Sequence, residues 1–372
     1  MEVAMLYEVD FLPVGEGESS GDAICLRYSI DEGNTWHVGV IDGGTQVSGE
    51  ALCEHVKNYY GTEIVDFLVC THPDQDHASG LSIVLEKMDV KKVLMHCPWD
   101  YVDHVYEYVT DGRITKESLK RRLIEGHPYA YKLYESAIEK GIPIHHAFSD
   151  GGDHDIPCLH ILGPSAGFYV EQLRNFRSIT DITEDSDACG GLLRGIVQAA
   201  QRAINFIAEA WDDETLVDPA EDATSSENNS SIVLCFDFDG KKHLFTGDAG
   251  VSALDMAASR MEALGLPLQD FSFVQAPHHG SKRSIGPTVM NRLLGVPSWG
   301  QVDPTYTCFI SASKEGEPKH PNKRVSNAFA RRGAKVIATQ GSTKRHFSGG
   351  VPDRGWQQAV PLPFYSEVED DD

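Results

Sequence analysis

Between Thr71 and His77 the chain reads Thr-His-Pro-Asp-Gln-Asp-His. Two imidazoles, His72 and His77, and two carboxylates, Asp74 and Asp76, stand within one short turn of chain, directly after the apolar run 64–70. Imidazole nitrogen and carboxylate oxygen at alternating spacing form a donor set for divalent metal ions. A packed core has no use for such a cluster, because each buried carboxylate without a partner costs several kcal/mol. The competing reading is a solvated loop that happens to be acidic.

Three further features share one property. Asp248 follows Leu244-Phe245, the pair His278-His279 follows Phe273-Val274, and His320 precedes Pro321. Each is expected where an apolar run ends, and sheet ends are where α/β proteins gather their functional side chains. Thr246-Gly247-Asp248 also reads as an ordinary turn, and His320 as a residue capping the helix after it. Adjacent histidines point different ways, so one of His278 and His279 can bind a metal while the other faces substrate. Lys282 and Arg283 follow at once, and Lys344, Arg345 and His346 form a second short basic cluster. These could flank a phosphate or be plain surface charge. Asp42 reads as a residue that holds the loop through hydrogen bonds, not as a ligand.

The 372 residues carry 32 basic and 56 acidic side chains, a formal charge of −24. That excludes a generally basic surface for coating DNA or a membrane. A phosphate-bearing substrate stays open, since metal ions supply positive charge locally. The eight cysteines are scattered without a CxxC pair, as expected of reduced core thiols in a cytoplasmic protein. No stretch is long and apolar enough to span a bilayer, and the N-terminus lacks the basic region of a secretory signal.

The elements that must position these groups alternate. Strands are expected at 3–12, 22–30 and 38–41, the last running into Asp42-Gly43-Gly44, with a helix at 49–60. A strand at 64–70, the His/Asp loop, a helix at 81–87 and a strand at 90–95 follow. Later strands fall at 156–162, 232–238, 243–245, 271–275, 307–311 and 335–339, with helices at 251–264 and about 322–332. This rhythm predicts a layered α/β architecture. Two largely helical insertions interrupt it, at about 100–140 and 165–226. In the second, Leu192, Ile196, Ala199, Ala203 and Ile207 fall on one helical face. Residues 1–346 form the expected domain, and the acidic tail 347–372 is expected to be disordered in part.

The order His-x-Asp-x-Asp-His, then Asp, then His-His-Gly-Ser resembles that of the metallo-β-lactamase-fold hydrolases. Within them the chain looks most like the hydrolase domain of competence-channel (ComEC-type) proteins and related phosphodiesterases. The resemblance also covers Ile41-Asp42-Gly43-Gly44, Ser79-Gly80, the stretch from Asn228 to Leu234, His320-Pro321 and Thr339. It implies a four-layer αββα sandwich with the site at one edge of the paired sheets. It also implies two divalent ions, one held by His72, Asp74 and Asp248, the other by Asp76, His77, Asp248 and His278 or His279.

The family's usual second histidine is Asp74 here, and Asn228 or Asn229 stands where a further imidazole is usual. Harder ligands favour manganese or magnesium beside zinc. The implied reaction is ester hydrolysis, phosphodiester or nucleic acid foremost, by a hydroxide bridging the two ions. Asp76 would orient the nucleophile, and His320 or His278 would protonate the leaving group. Asn228, Asn229, Ser281, Lys282, Arg283 and Thr339 are candidate substrate contacts. The expected substrate is a single strand or a small nucleotide, and the insertions could bind a protein partner. The alternatives are another ester, such as a phosphocholine ester or a lactone, and a non-catalytic module that keeps the fold.

Overall fold

The computed structural model describes residues 5–15, 20–151, 154–180, 182, 205–221, 223–316 and 320–370. In chain order its strands begin with β1 Leu6–Phe11, β2 Ala23–Ser29, β3 His37–Gly43, β4 Ile64–Val65, β5 Phe67–Val69, β6 Asp89–Val90, β7 Val93–Leu94, β8 Ile144–His145 and β9 Leu159–Gly163. They continue with β10 Asn205–Ala208, β11 Val233–Phe238, β12 Lys241–Phe245, β13 Phe271–Gln275, β14 Tyr306–Ile310, β15 Ala334–Ala338, β16 Lys344–Phe347 and β17 Glu367–Asp370.

Two mixed sheets carry the fold. The first has the order β16-β1-β2-β3-β5-β7-β8 and the second β15-β14-β13-β12-β11-β9. In each, a block of parallel strands (β3, β5, β7, β8 and β12 to β15) adjoins antiparallel neighbours. Alternation along the strands decides what each face buries. Tyr7, Val9, Phe11, Leu26 and Phe67 from the first sheet meet Phe236, Phe245, Phe273 and Phe309 from the second, in one core between the sheets.

The outer faces are apolar as well, so each must be covered by helices. Gln46–His55, Leu81–Lys87 and Pro128–Glu139 cover the first sheet through Leu52, Leu85 and Leu133. Val251–Ala263, Pro287–Leu294 and Lys323–Arg331 cover the second through Leu254, Met290 and Phe329. The molecule is therefore the expected four-layer αββα sandwich.

Lys116–Gly126 and Ala166–Leu173 from the two insertions share a satellite core of Leu119, Leu123, Tyr169, Leu173 and Phe176.

Two expectations fail. The helical face ending at Ile207 does not reach that residue: Ile207 lies in β10, which pairs antiparallel with β17, Ile207 opposite Val368. Most of the expected helix falls in 183–204, outside the described residues. The same pairing corrects the tail. Glu367–Asp370 is a strand whose Val368 and Glu369 are buried, Val368 opposite Ile207 and Glu369 accepting from Lys323 N on its Oε2. Among the described residues no helix is long and apolar enough to cross a membrane.

Candidate metal centre

The parallel strands of both sheets end at one edge, and the predicted loops meet there. β5 delivers Thr71 and His72, after which Asp74 starts a short helix, Gln75–Ala78, that carries Asp76 and His77. The loop is wedged against the end of β3: a Cβ on Gly80 would lie 1.9 Å from the Gly43 carbonyl oxygen, and one on Gly49 would lie 2.3 Å from that of Gly80. From the second sheet, Ile232 donates its N–H to the Thr71 carbonyl at 2.9 Å, so the two sheet ends are tied at the loop.

After β13 the chain passes through three successive left-handed residues, His278 (φ 47°), His279 (φ 57°) and Gly280 (φ 77°). Left-handed backbone is costly for residues with a Cβ. Here it turns the two neighbouring rings toward the same cluster.

Four groups surround one point. His77 Nε2 lies 3.4 Å from Asp248 Oδ1 and 4.0 Å from Asp76 Oδ2. His279 Nε2 lies 3.7 Å from Asp248 Oδ1 and 3.9 Å from Asp76 Oδ2. Each ring is aimed by its other nitrogen: His77 Nδ1 on Asp42 Oδ2 at 2.8 Å, His279 Nδ1 on the Ser311 carbonyl at 3.0 Å. An imidazole whose Nδ1–H donates to a carboxylate or carbonyl offers its Nε2 lone pair inward, the usual support of a metal-binding histidine. Asp42 also accepts from Thr71 N and Oγ1, the loop-holding role its sequence context suggested.

The test of fit is what these atoms lack. His72 Nε2, His77 Nε2, His279 Nε2 and Asp248 Oδ1 are buried without a hydrogen-bond partner, which native interiors rarely tolerate. The ligand atoms of Asp76, His77 and His279, and those of His72, His77 and Asp248, lie within 4.8 Å of one another. Burial drives the Asp248 carboxyl well above its usual range and the imidazoles of His72 and His279 well below theirs. Burial disfavours the His77 imidazolium too, but Asp248, Asp42 and Asp76 outweigh it and raise its pKa. The carboxylates of Asp76 and Asp248 thus face two imidazoles held neutral, His72 and His279, and one, His77, drawn toward its charged form. A divalent cation would supply the positive charge in place of that proton.

The other half of the centre is built differently. His72 Nε2 is 4.0 Å and His278 Nε2 3.6 Å from Asp248 Oδ2. His278 Nδ1 pairs with Ser284 Oγ at 2.7 Å. The Asn228 amide nitrogen stands 3.3 Å from Asp248 Oδ2. Asp74 does not join the cluster. Both its oxygens accept from Arg177 Nη2, at 2.7 and 2.8 Å, because the second insertion brings a guanidinium to it. Arg177 is held from behind by Glu227, whose Oε1 accepts from its backbone N and its Nε.

The remaining candidates divide. His320 lies at the rim, its ring tilted 5.9 Å from that of His278 and edge-on 6.0 Å from that of His279. Lys282 is half-buried, Arg283 exposed, and Ser281 Oγ accepts from Arg283 N. Asn229 instead receives Gly250 N on its side-chain oxygen and fixes the start of a helix. Thr339 is wholly buried and bridges Ala312 N and O, so it offers nothing to a substrate. Arg345 is taken up by Glu8 at 3.0 Å, which removes it from any phosphate-binding role.

Three residues of the centre had no spacing to announce them. Asp22 is buried behind His77 and His279, bonded by Gln275 Nε2 at 2.7 Å, and burial pushes its carboxyl up to about 7. Gln275 also receives Thr246 N and Gly247 N on its Oε1, setting the turn that presents Asp248. Arg177 lies far along the chain from Asp74. A cleft of ≈ 530 Å³ opens beside the cluster, lined by Asp74, Asp76, His127, Tyr129 and Arg177. A larger cavity, ≈ 1010 Å³, runs past Phe309, Ile337 and Trp356 and contains none of the converging ligands.

No protein-family model matches the chain, and no curated protein does. Among solved structures it is similar to unliganded yeast PDE1, with 9% identity over 91% of this chain and 99% of that one and a TM-score of 0.44. It is also similar to a putative metallo-β-lactamase from Thermotoga maritima (10% identity, 66% and 79% covered, TM-score 0.31). A third is the metallo-β-lactamase SMB-1 bound to 2-mercaptoethanesulfonate (11%, 77% and 86%, 0.28). None reaches a TM-score of 0.5, so the chemistry rests on this chain's own residues.

Proposed function

We propose that the protein is a metal-dependent hydrolase of phosphodiesters. The observation that carries this reading is the convergence of His77 Nε2, His279 Nε2, Asp76 and Asp248 on one point, with buried lone pairs left over. Asp76, His77, Asp248 and His279 would hold the ion, with His72 beside them. When bound, a divalent ion supplies Lewis acidity toward a phosphoryl oxygen and lowers the pKa of water toward neutral.

The chain's own groups do the rest. Asp76 is partly exposed to the cleft and is placed to orient a water. His278, steadied by Ser284 and partly exposed, and His320 at the rim are the proton donors for a leaving alkoxide. Arg177, lining the same cleft, favours an anionic substrate over a neutral ester.

The net charge of −24 disfavours long duplex DNA, since non-specific nucleic-acid affinity rests on cationic contacts to phosphate. A small nucleotide or a short single strand fits better, with manganese, magnesium or zinc as the ion. The carboxylate-rich loop is also what the competence-channel resemblance implies.

The test is hydrolysis of bis-p-nitrophenyl phosphate against p-nitrophenyl butyrate, with each metal, followed by single-stranded DNA, RNA and cyclic dinucleotides. Phosphodiester cleavage that disappears in Asp248→Ala is expected. Cleavage of the carboxylic ester alone, or of neither, rejects the reading.

A further inference from the structure

We infer that the chain binds one divalent ion tightly, at Asp76, His77, Asp248 and His279, and that the guanidinium of Arg177 takes the place of a second. This rests on the metal reading above. A second ion would need Asp74, yet both Asp74 oxygens are spent on Arg177 Nη2 at 2.7 and 2.8 Å. It would also need Asp248 to turn Oδ2 toward it. That oxygen already accepts from the Asn228 amide nitrogen at 3.3 Å, so a bridging ion would share it with a hydrogen bond. His72 and His278 are left, their Nε2 atoms 4.0 and 3.6 Å from Asp248 Oδ2, and without Asp74 they lack the further protein ligand that a tight second site needs.

Arg177 is equipped for the substitution. A guanidinium stays charged at any working pH and needs no loading. It is fixed from two elements, by Asp74 on the loop and by buried Glu227. Nε and Nη2 are used in these bonds, and Nη1 serves neither carboxylate. The side chain is still 65% exposed and lines the cleft that Asp76 enters. The expected centre is thus asymmetric, one exchangeable cation and one built in.

Metal-free protein, prepared with a chelator, is titrated with manganese and followed by calorimetry, by elemental analysis after gel filtration and by electron paramagnetic resonance. The wild type is expected to take up one tight equivalent with the signal of an isolated ion. Arg177→Ala frees Asp74 and is expected to take up a second equivalent, with an exchange-coupled signal. Two tight equivalents in the wild type, or a second equivalent still missing from a folded Arg177→Ala, overturns the inference. No tight equivalent in the wild type overturns the metal reading itself. Should Arg177→Ala fail to fold by circular dichroism, Asp74→Asn decides: retention of one equivalent supports the inference, and a fall from two to one rejects it.

Discussion

Two buried polar clusters stand on the first sheet, and they differ in what they leave unpaired. On its outer face, Glu8 and Asp10 of β1 are wholly buried. Each of their four oxygens is nevertheless engaged. Glu8 Oε1 takes Arg27 at 2.6 Å and Arg345 at 3.0 Å, and Oε2 takes Arg354. Asp10 Oδ1 takes Arg354 at 2.9 Å, and Oδ2 takes Tyr60 at 2.7 Å with His55 at 3.1 Å. The spacing of Asp10, Cys25 and His55 would suit a metal ion, but the protein's own cations have already consumed those lone pairs. At the sheet's edge, Asp22, Asp76 and Asp248 gather without a guanidinium or ammonium among them, and histidine nitrogens point inward with nothing to bind. Ligand-type residues in proximity do not distinguish a structural cluster from a site. The unpaired atoms do.

Removing one member from each cluster should separate them most sharply. Asp248→Ala is expected to abolish metal uptake and cut phosphodiester hydrolysis by roughly 10³-fold or more, since a metal's Lewis acidity is worth several kcal/mol. The metal-free protein should lose little stability, because Asp248 Oδ1 has no hydrogen-bond partner and Oδ2 only the Asn228 amide at 3.3 Å. A large loss of metal-free stability would show that Asp248 belongs to the paired kind.

Arg354→Ala is the mirror case. It removes the guanidinium that Glu8 and Asp10 share, leaving Glu8 to Arg27 and Arg345 and Asp10 to Tyr60 and His55. It should cost about 1.5–3 kcal/mol in denaturant unfolding, with metal stoichiometry per folded molecule unchanged. Stability within 1 kcal/mol of wild type would erase the contrast.

Asp42→Asn tests the aiming of His77. Weakening that hydrogen bond should lower metal affinity about 10–100-fold, measured by competition with a fluorescent chelator. Unaltered affinity would mean the ring is held by packing alone.

The smallest effect is on acid stability. Burial pushes Asp10 upward, but the hydrogen bond and charge of His55, with Arg354, hold it below the usual carboxylate range. Its folded pKa is therefore the lower one. The stability it contributes is complete above the unfolded value of about 3.9 and is lost as pH falls through the folded value. Asp10→Asn should flatten the acid limb of the unfolding curve, and an unchanged limb would show that other carboxylates govern it.

The contrast also explains what could be read in advance. Thr71–His77 was legible because its donors lie within one turn of chain, and Asp248 and His278-His279 because apolar runs lead to them. Most strand and helix positions in the two sheets followed from periodicity, and Leu81–Lys87 has the expected bounds. The expected strands 64–70 and 90–95, however, each divide in two, with β4 and β6 pairing in a separate sheet, and β8 and β16 were not expected. Arg177 was not legible: its partner Asp74 is 103 positions away, in a segment with no motif of its own. Asp22 meets Gln275 across 253 positions. Thr339 and Arg345 carried the right chemistry, but their side chains are committed elsewhere, to Ala312 and to Glu8. Ile207 fitted a helical period and lies in a strand because β17 offers it a hydrogen-bonding edge. Pairing partners distant in sequence leave no local trace.

The wedge of Gly43, Gly49 and Gly80 has a kinetic meaning. The loop that carries Asp76 and His77 is located by excluded volume, backbone pressed on backbone, and not by anything an ion supplies. Its shape should therefore outlast the ion's departure. Metal should then leave and re-enter the folded protein without unfolding of that loop.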